Sequence, residues 1–137
     1  MIDEFVEKWY KYKDDLENYF TKTKQEEYSK YGYIVKALFK YIINKDIEYG
    51  KYDIEDIKII DDGDYQGTQI FILHKDTYQP DIDEYVYTSV YYGSCSGCDT
   101  LLSISGYVDD VLPTEEQVKN YMTLSLHLLQ KCRYFEE

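Results

Sequence analysis

Ile2, Phe5, Trp9, Tyr12, Leu16 and Tyr19 recur at alternating steps of three and four residues, with Lys8, Lys11, Asp14, Asp15 and Glu17 between them. That spacing predicts an amphipathic helix over 2–19. The stripe is under three heptads long, so packing on its own domain is the expected role, with pairing of two copies as a homodimer left open. Residues 21–25 read as a break. A second stripe of Tyr31, Ile34, Val35, Leu38, Tyr41 and Ile42 predicts a helix over about 26–44. Gly32 costs such a helix about 1 kcal/mol relative to Ala, which moves its expected start towards Tyr33.

From Asp46 the period changes. Ile57, Ile59 and Ile60 predict a short strand that ends in the turn Asp61-Asp62-Gly63-Asp64. Residues 69–74 are apolar on both faces, as expected for a central strand. Pro80 and several Asp mark a connection over 76–83. Residues 84–92, rich in Tyr, Val and Thr, form the longest strand candidate. The intervals between these runs are too short for parallel crossovers, so the strands should form an antiparallel meander. Residues 101–104 suit a strand or a short helix. Thr114-Glu115-Glu116-Gln117, just after Pro113, is a capping-box pattern. It opens a last helix with Val118, Tyr121, Met122, Ser125, Leu128, Leu129 and Cys132 on one stripe. The predicted fold is a single α+β domain over 1–137: a small antiparallel sheet of three or four strands, with two N-terminal helices and a C-terminal helix packed on it.

Composition supports a globular chain and narrows its partners. Of 137 residues, 44% are hydrophobic and only two are proline, and no apolar run approaches the ~18 residues of a membrane span. The start lacks the basic and apolar regions of a leader, so a cytoplasmic protein is expected. The formal net charge is −12. Nucleic acid and anionic lipid would be repelled, so neither is expected to bind directly.

The charge is uneven. Residues 1–45 hold nine Lys against eight acids, a net of +1, whereas residues 46–137 hold six Lys or Arg against nineteen acids, a net of −13. Such an acidic region either serves only as solvated surface or meets a basic protein surface, where complementary potentials speed encounter and set specificity. Its candidate contacts are Asp53, Glu55, Asp56, Asp61, Asp62 and Asp64. With 18 tyrosines in the chain, Tyr52 and Tyr65 are the aromatic anchors expected beside them.

Cys95 and Cys98, with Cys132 the only other cysteine, admit four readings. A structural disulfide conflicts with a cytosolic location. A redox pair would normally follow a βαβ pattern, which is missing. Zinc would need Cys95, Cys98, His127 and Cys132 together, yet the last two are five apart on a predicted helix, about 140° around its axis by the 100° step. The preferred reading is a tight structural loop. Gly93 and Gly97 permit positive φ there, and Ser94, Ser96, Asp99 and Thr100 can bond the loop's own backbone. Such a loop before a helix could also hold an anion, but no Lys or Arg lies between Lys75 and Lys119 to assist. His74, within an apolar run, is expected to be a satisfied sheet residue rather than a ligand.

The segment Tyr91-Tyr92-Gly93-Ser94-Cys95-Ser96-Gly97-Cys98-Asp99-Thr100-Leu101, followed by Pro113-Thr114 and by Tyr121-Met122-Thr123-Leu124-Ser125-Leu126-His127-Leu128-Leu129-Gln130, resembles small acidic proteins encoded by bacteriophages. The likeness covers about residues 85–130. It implies an accessory phage protein made inside the infected bacterium. Proteins in that setting inhibit host enzymes and defence systems, CRISPR effectors among them.

Three classes of function follow. The leading expectation is a non-enzymatic inhibitor, without cofactor or metal, whose acidic surface binds a host protein with a basic surface, such as a nucleic-acid-binding effector. The second is a protein that sequesters a small ligand or nucleotide with the loop Gly93–Thr100. The third is a metal-binding or thiol-redox protein built on Cys95, Cys98 and His127. No recognised nucleophile or metal motif supports an enzyme.

Overall fold

The computed structural model describes residues 1–25, 30–64, 66–94, 99–106 and 110–135. Helix α1 (Asp3–Lys22) begins with Asp3 and Glu4 and carries Lys22 in its last turn, charges that complement its dipole. It buries Phe5, Trp9, Leu16 and Phe20 within its own chain, mainly against the segment 39–43 and the last helix. The predicted stripe is therefore covered without a second copy. The side chain of Lys8 donates to the carbonyls of Ile43 and Lys45 at 2.7 and 2.8 Å. It thereby satisfies backbone acceptors left open where the second helix ends.

Helix α2 (Tyr31–Leu38) continues into a π-helical turn, Phe39–Ile43. It starts two residues before the position predicted from Gly32. Buried Tyr31 anchors the first turn from outside: its hydroxyl donates to Asp99 at 2.7 Å and accepts from the Leu101 N–H at 3.0 Å. Gly32 thus sits where the helix is held by a tertiary contact. The π turn buries Phe39, Ile42 and Ile43 and brings Asn44 round to the chain beyond. Asn44 bonds both backbone groups of Tyr52, accepting at 2.8 Å and donating at 3.0 Å.

Among the described residues, four antiparallel strands follow in the order β1-β2-β3-β4: β1 (Lys58–Asp61), β2 (Gly67–His74), β3 (Tyr85–Tyr92) and β4 (Arg133–Tyr134). The first three realise the predicted meander. The fourth, two residues long, has no signature in the pattern. It pairs Tyr134 with Val86 and Arg133 with Tyr87. Between β3 and β4 lie the short helix α3 (Thr100–Ser105) and helix α4 (Glu115–Gln130). The capping box forms as predicted, with Thr114 accepting from Gln117 N–H at 3.2 Å and Gln117 reaching back to Thr114 N–H at 2.8 Å.

The sheet has two unlike faces. Phe71, Leu73, Val86, Thr88 and Val90 are buried under the helices, and Thr88 donates its hydroxyl to the Leu128 carbonyl at 2.6 Å. The alternate positions Ile60, Ile70, Ile72, Tyr85, Tyr87 and Tyr91 form the opposite face, and each is half-buried or exposed. The described helices leave that face bare. No described helix is long and apolar enough to cross a membrane.

Tyr121 closes the helical layer, stacking on Phe20 at 5.5 Å and donating to the buried Gln25 side chain at 2.9 Å. Burial pushes its hydroxyl up to about 12, raises those of Tyr31 and Tyr52, and pushes the Cys132 thiol up to about 12. On unfolding, these groups return to ordinary values of 10.0 for Tyr and 9.0 for Cys. Their contribution is therefore complete below about pH 9 and is lost as pH rises towards about 12. An alkaline titration followed by tyrosinate absorbance tests this. A delayed rise should then coincide with loss of far-UV circular dichroism. A native fold that persists after every tyrosine has ionised would contradict this arrangement.

Candidate functional site

The candidate acidic residues fall into two groups at opposite ends of β1. Asp53, Glu55 and Asp56 precede it. The Asp53 N–H donates to the His74 carbonyl at 2.9 Å, which fixes this segment against the end of β2. The Asp53 carboxylate accepts the Glu55 N–H at 3.0 Å. Exposed Glu55 pairs with Lys36 at 3.2 Å. Asp56 meets Lys58 at 2.9 Å through one oxygen and His74 at 3.1 Å through the other. These two bonds, His74 first, hold the Asp56 carboxyl below its ordinary value. The bond of His74 to the Lys75 carbonyl, with help from Asp56, raises the imidazole above its ordinary value.

Asp61, Asp62 and Asp64 form the second group, all exposed in the β1–β2 turn. The first two also build that turn. Asp61 accepts from Gly63 N–H at 3.0 Å, Tyr92 hydroxyl at 2.5 Å and Gln69 amide at 3.1 Å. Asp62 accepts from Thr68 N–H at 2.7 Å. The donors keep the Asp61 carboxyl below its ordinary value, and the Asp61 carboxylate pushes the Tyr92 hydroxyl up to about 12. Gly63 is required here, because a Cβ would run into the Gln66 carbonyl group.

The two expected aromatic anchors fare differently. Tyr52 is 4% exposed, with its ring edge-on to Phe5 at 6.2 Å and to Phe39 at 5.5 Å. It supports the core and offers no surface to a partner, so its assignment as an anchor is corrected. Tyr65 lies outside the described residues, as do Cys95 and Cys98. Of the remaining zinc candidates, His127 is exposed on α4, whereas Cys132 is fully buried with its sulfur against the Leu128 carbonyl.

Two features had no clear sequence signal. The first is the bare sheet face. Ile60 and Tyr91 on it are more than half exposed, and Phe135 packs against Tyr85 and Tyr87. Period-two alternation in 84–92 marked a strand without showing which side the helices would take. The second is a cavity of about 630 Å³ on the helical side of the sheet, bounded by the start of α2, β1 and α3. Lys30, Tyr33, Lys36, Ile59, Tyr92 and Leu102 are among the residues around it. Its lysines come from α2 and the residue just before it, far in sequence from the cation-free stretch between Lys75 and Lys119. Asp99 also borders it, but its carboxylate is already occupied by Tyr31, Gly93 N–H and Leu102 N–H.

Chemically, the bare face and its acidic ends suit recognition: apolar and Tyr side chains in the middle, carboxylates at the edge. No family model, curated protein or solved structure matches the chain.

Proposed function

We propose that this chain is a non-enzymatic inhibitor of a bacterial host protein, supplied by a bacteriophage and directed at a host enzyme or a defence system such as a CRISPR effector. The observation that carries this reading is the bare Ile/Tyr sheet face with carboxylates beside it at both ends of β1. Interfaces concentrate their affinity in central aromatic and aliphatic groups, while charges at the rim steer encounter and discriminate between partners. A basic host surface, including one that normally holds nucleic acid, complements that layout. The phage setting rests on the resemblance of residues 85–130.

Asp61 and Asp62 are poor choices for charge reversal, because both hold the β1–β2 turn. Glu55→Lys with Asp64→Lys alters the charge with less disturbance. In a pull-down from the bacterial host, the native chain should capture a partner strongly at low salt and weakly at high salt. The double variant should lose that capture, as should Ile60→Lys on the bare face. Capture that ignores salt and all three changes would sink this reading.

The cavity favours a second reading, a small-ligand sequestering protein. Lys30 and Lys36 offer cations there, although Lys36 also pairs with Glu55, and Asp99 at the end of the loop borders the cavity. A volume of about 630 Å³ is within the range that encloses most of a drug-sized molecule. Under that reading a small anionic molecule should co-purify, and Lys30→Glu should release it while partner capture fails to appear.

A further inference from the structure

We propose that Asp53, Asp56 and His74 form a binding site for a divalent transition-metal ion of the zinc type. The inference does not rest on the proposed host partner. One ligand atom from each of the three residues lies within 4.8 Å of the other two, and all three side chains are half-buried. Ligands around zinc sit about 2.0–2.2 Å from the ion, so only a small closure is needed.

The surrounding bonds orient the donors. His74 Nδ1 lies 2.9 Å from the Lys75 carbonyl, which can only accept, so that nitrogen carries a proton and donates. Nε2 is thereby turned towards the Asp56 carboxylate, 3.1 Å away, and the proton it donates there is released to solvent when the metal binds. A ligating histidine usually has this arrangement, with its second nitrogen donating to a carbonyl or carboxylate. The backbone bond from Asp53 N–H to the His74 carbonyl ties the first ligand's segment to the third ligand's own residue. Asp56 engages Lys58 through Oδ1 and faces His74 through Oδ2. A cation on the Oδ2 side can therefore leave Lys58 in place as an outer partner.

The donor set selects the class of ion. One imidazole nitrogen with two carboxylate oxygens suits zinc, manganese or another first-row ion, while calcium and magnesium prefer oxygen alone. Three protein ligands leave at least one position for water. Among the described residues a second group, Asp81, Asp83 and Glu84, consists of carboxylates only and includes a Glu84 already bonded to Thr77 and to the Asp81 N–H. It lacks the nitrogen donor.

The test is calorimetric titration of the full chain with zinc chloride after alkylation of accessible thiols, so that Cys95 and Cys98 cannot take the metal. One equivalent should bind. Removing an outer partner of a zinc ligand costs roughly 10–100-fold, so His74→Gln and Asp53→Asn should each weaken binding by about 100-fold or more. Circular dichroism checks that each variant is folded, and Asp53→Asn decides if His74→Gln is not. No zinc uptake by the alkylated native chain would overturn the proposal. So would uptake that the folded variants leave unchanged, or a preference for magnesium or calcium over zinc.

Discussion

Trp9→Ala is expected to lower the unfolding free energy by ~3–5 kcal/mol, the usual cost of removing a large buried aromatic. Trp9 is 6% exposed on the face of α1 that meets the π turn and α4. Its removal opens a void in the core, and such a void closes only in part. The change should appear as an earlier midpoint in urea with little change of slope. An unaltered midpoint would mean that α1 does not pack as described.

Asp99→Ala should cost a comparable amount for a different reason. Asp99 is 6% exposed, and its two oxygens accept from the Tyr31 hydroxyl at 2.7 Å, the Gly93 N–H at 3.0 Å and the Leu102 N–H at 3.1 Å. It thereby joins the start of α2, the end of β3 and the start of α3. Each donor left buried without an acceptor costs about 1–3 kcal/mol, so a total of at least ~3 kcal/mol is expected. Asp99→Asn keeps one acceptor and should lose less. Hydrogen exchange at Gly93 and Leu102 should quicken in the Ala variant well before the core amides respond. If those two amides stay as protected as in the native chain, the carboxylate is not what holds them.

The helices were legible because their cores follow a simple period. In α4, Val118, Tyr121, Met122, Ser125, Leu128 and Leu129 are all buried as the stripe implied, and Ser125 satisfies its hydroxyl on the Tyr121 carbonyl at 2.8 Å. Phe20 lies four residues after Leu16 and takes the fully buried place, while Tyr19 beside it is half-buried. Strand β4 was not legible, since two residues carry no period. Tyr52 misled for a related reason. It stands among acids in sequence, while the Asn44 side chain, a bridge to Lys75 and the Phe5 and Phe39 rings draw it inward. The Asp56–His74 pair links positions 18 residues apart, and the cavity's lysines come from another element altogether. Long-range placement of this kind depends on how the sheet docks on the helices, which local pattern does not encode.

Strand β1 is an edge, and along it Ile59 and Ile60 are 53% and 52% exposed. Unpaired backbone beside exposed isoleucines invites another chain to extend the sheet. Here Asp56 and Lys58 stand at one end of that edge and Asp61, Asp62 and Asp64 at the other. Two copies approaching edge to edge would have to desolvate the exposed carboxylates of Asp61, Asp62 and Asp64, which disfavours pairing. The carboxylates thus serve colloidal stability whatever they bind. Any cation, protonation or basic surface that neutralises them also removes the barrier to stacking. A partner that neutralises those carboxylates therefore binds best in an arrangement that also covers the edge.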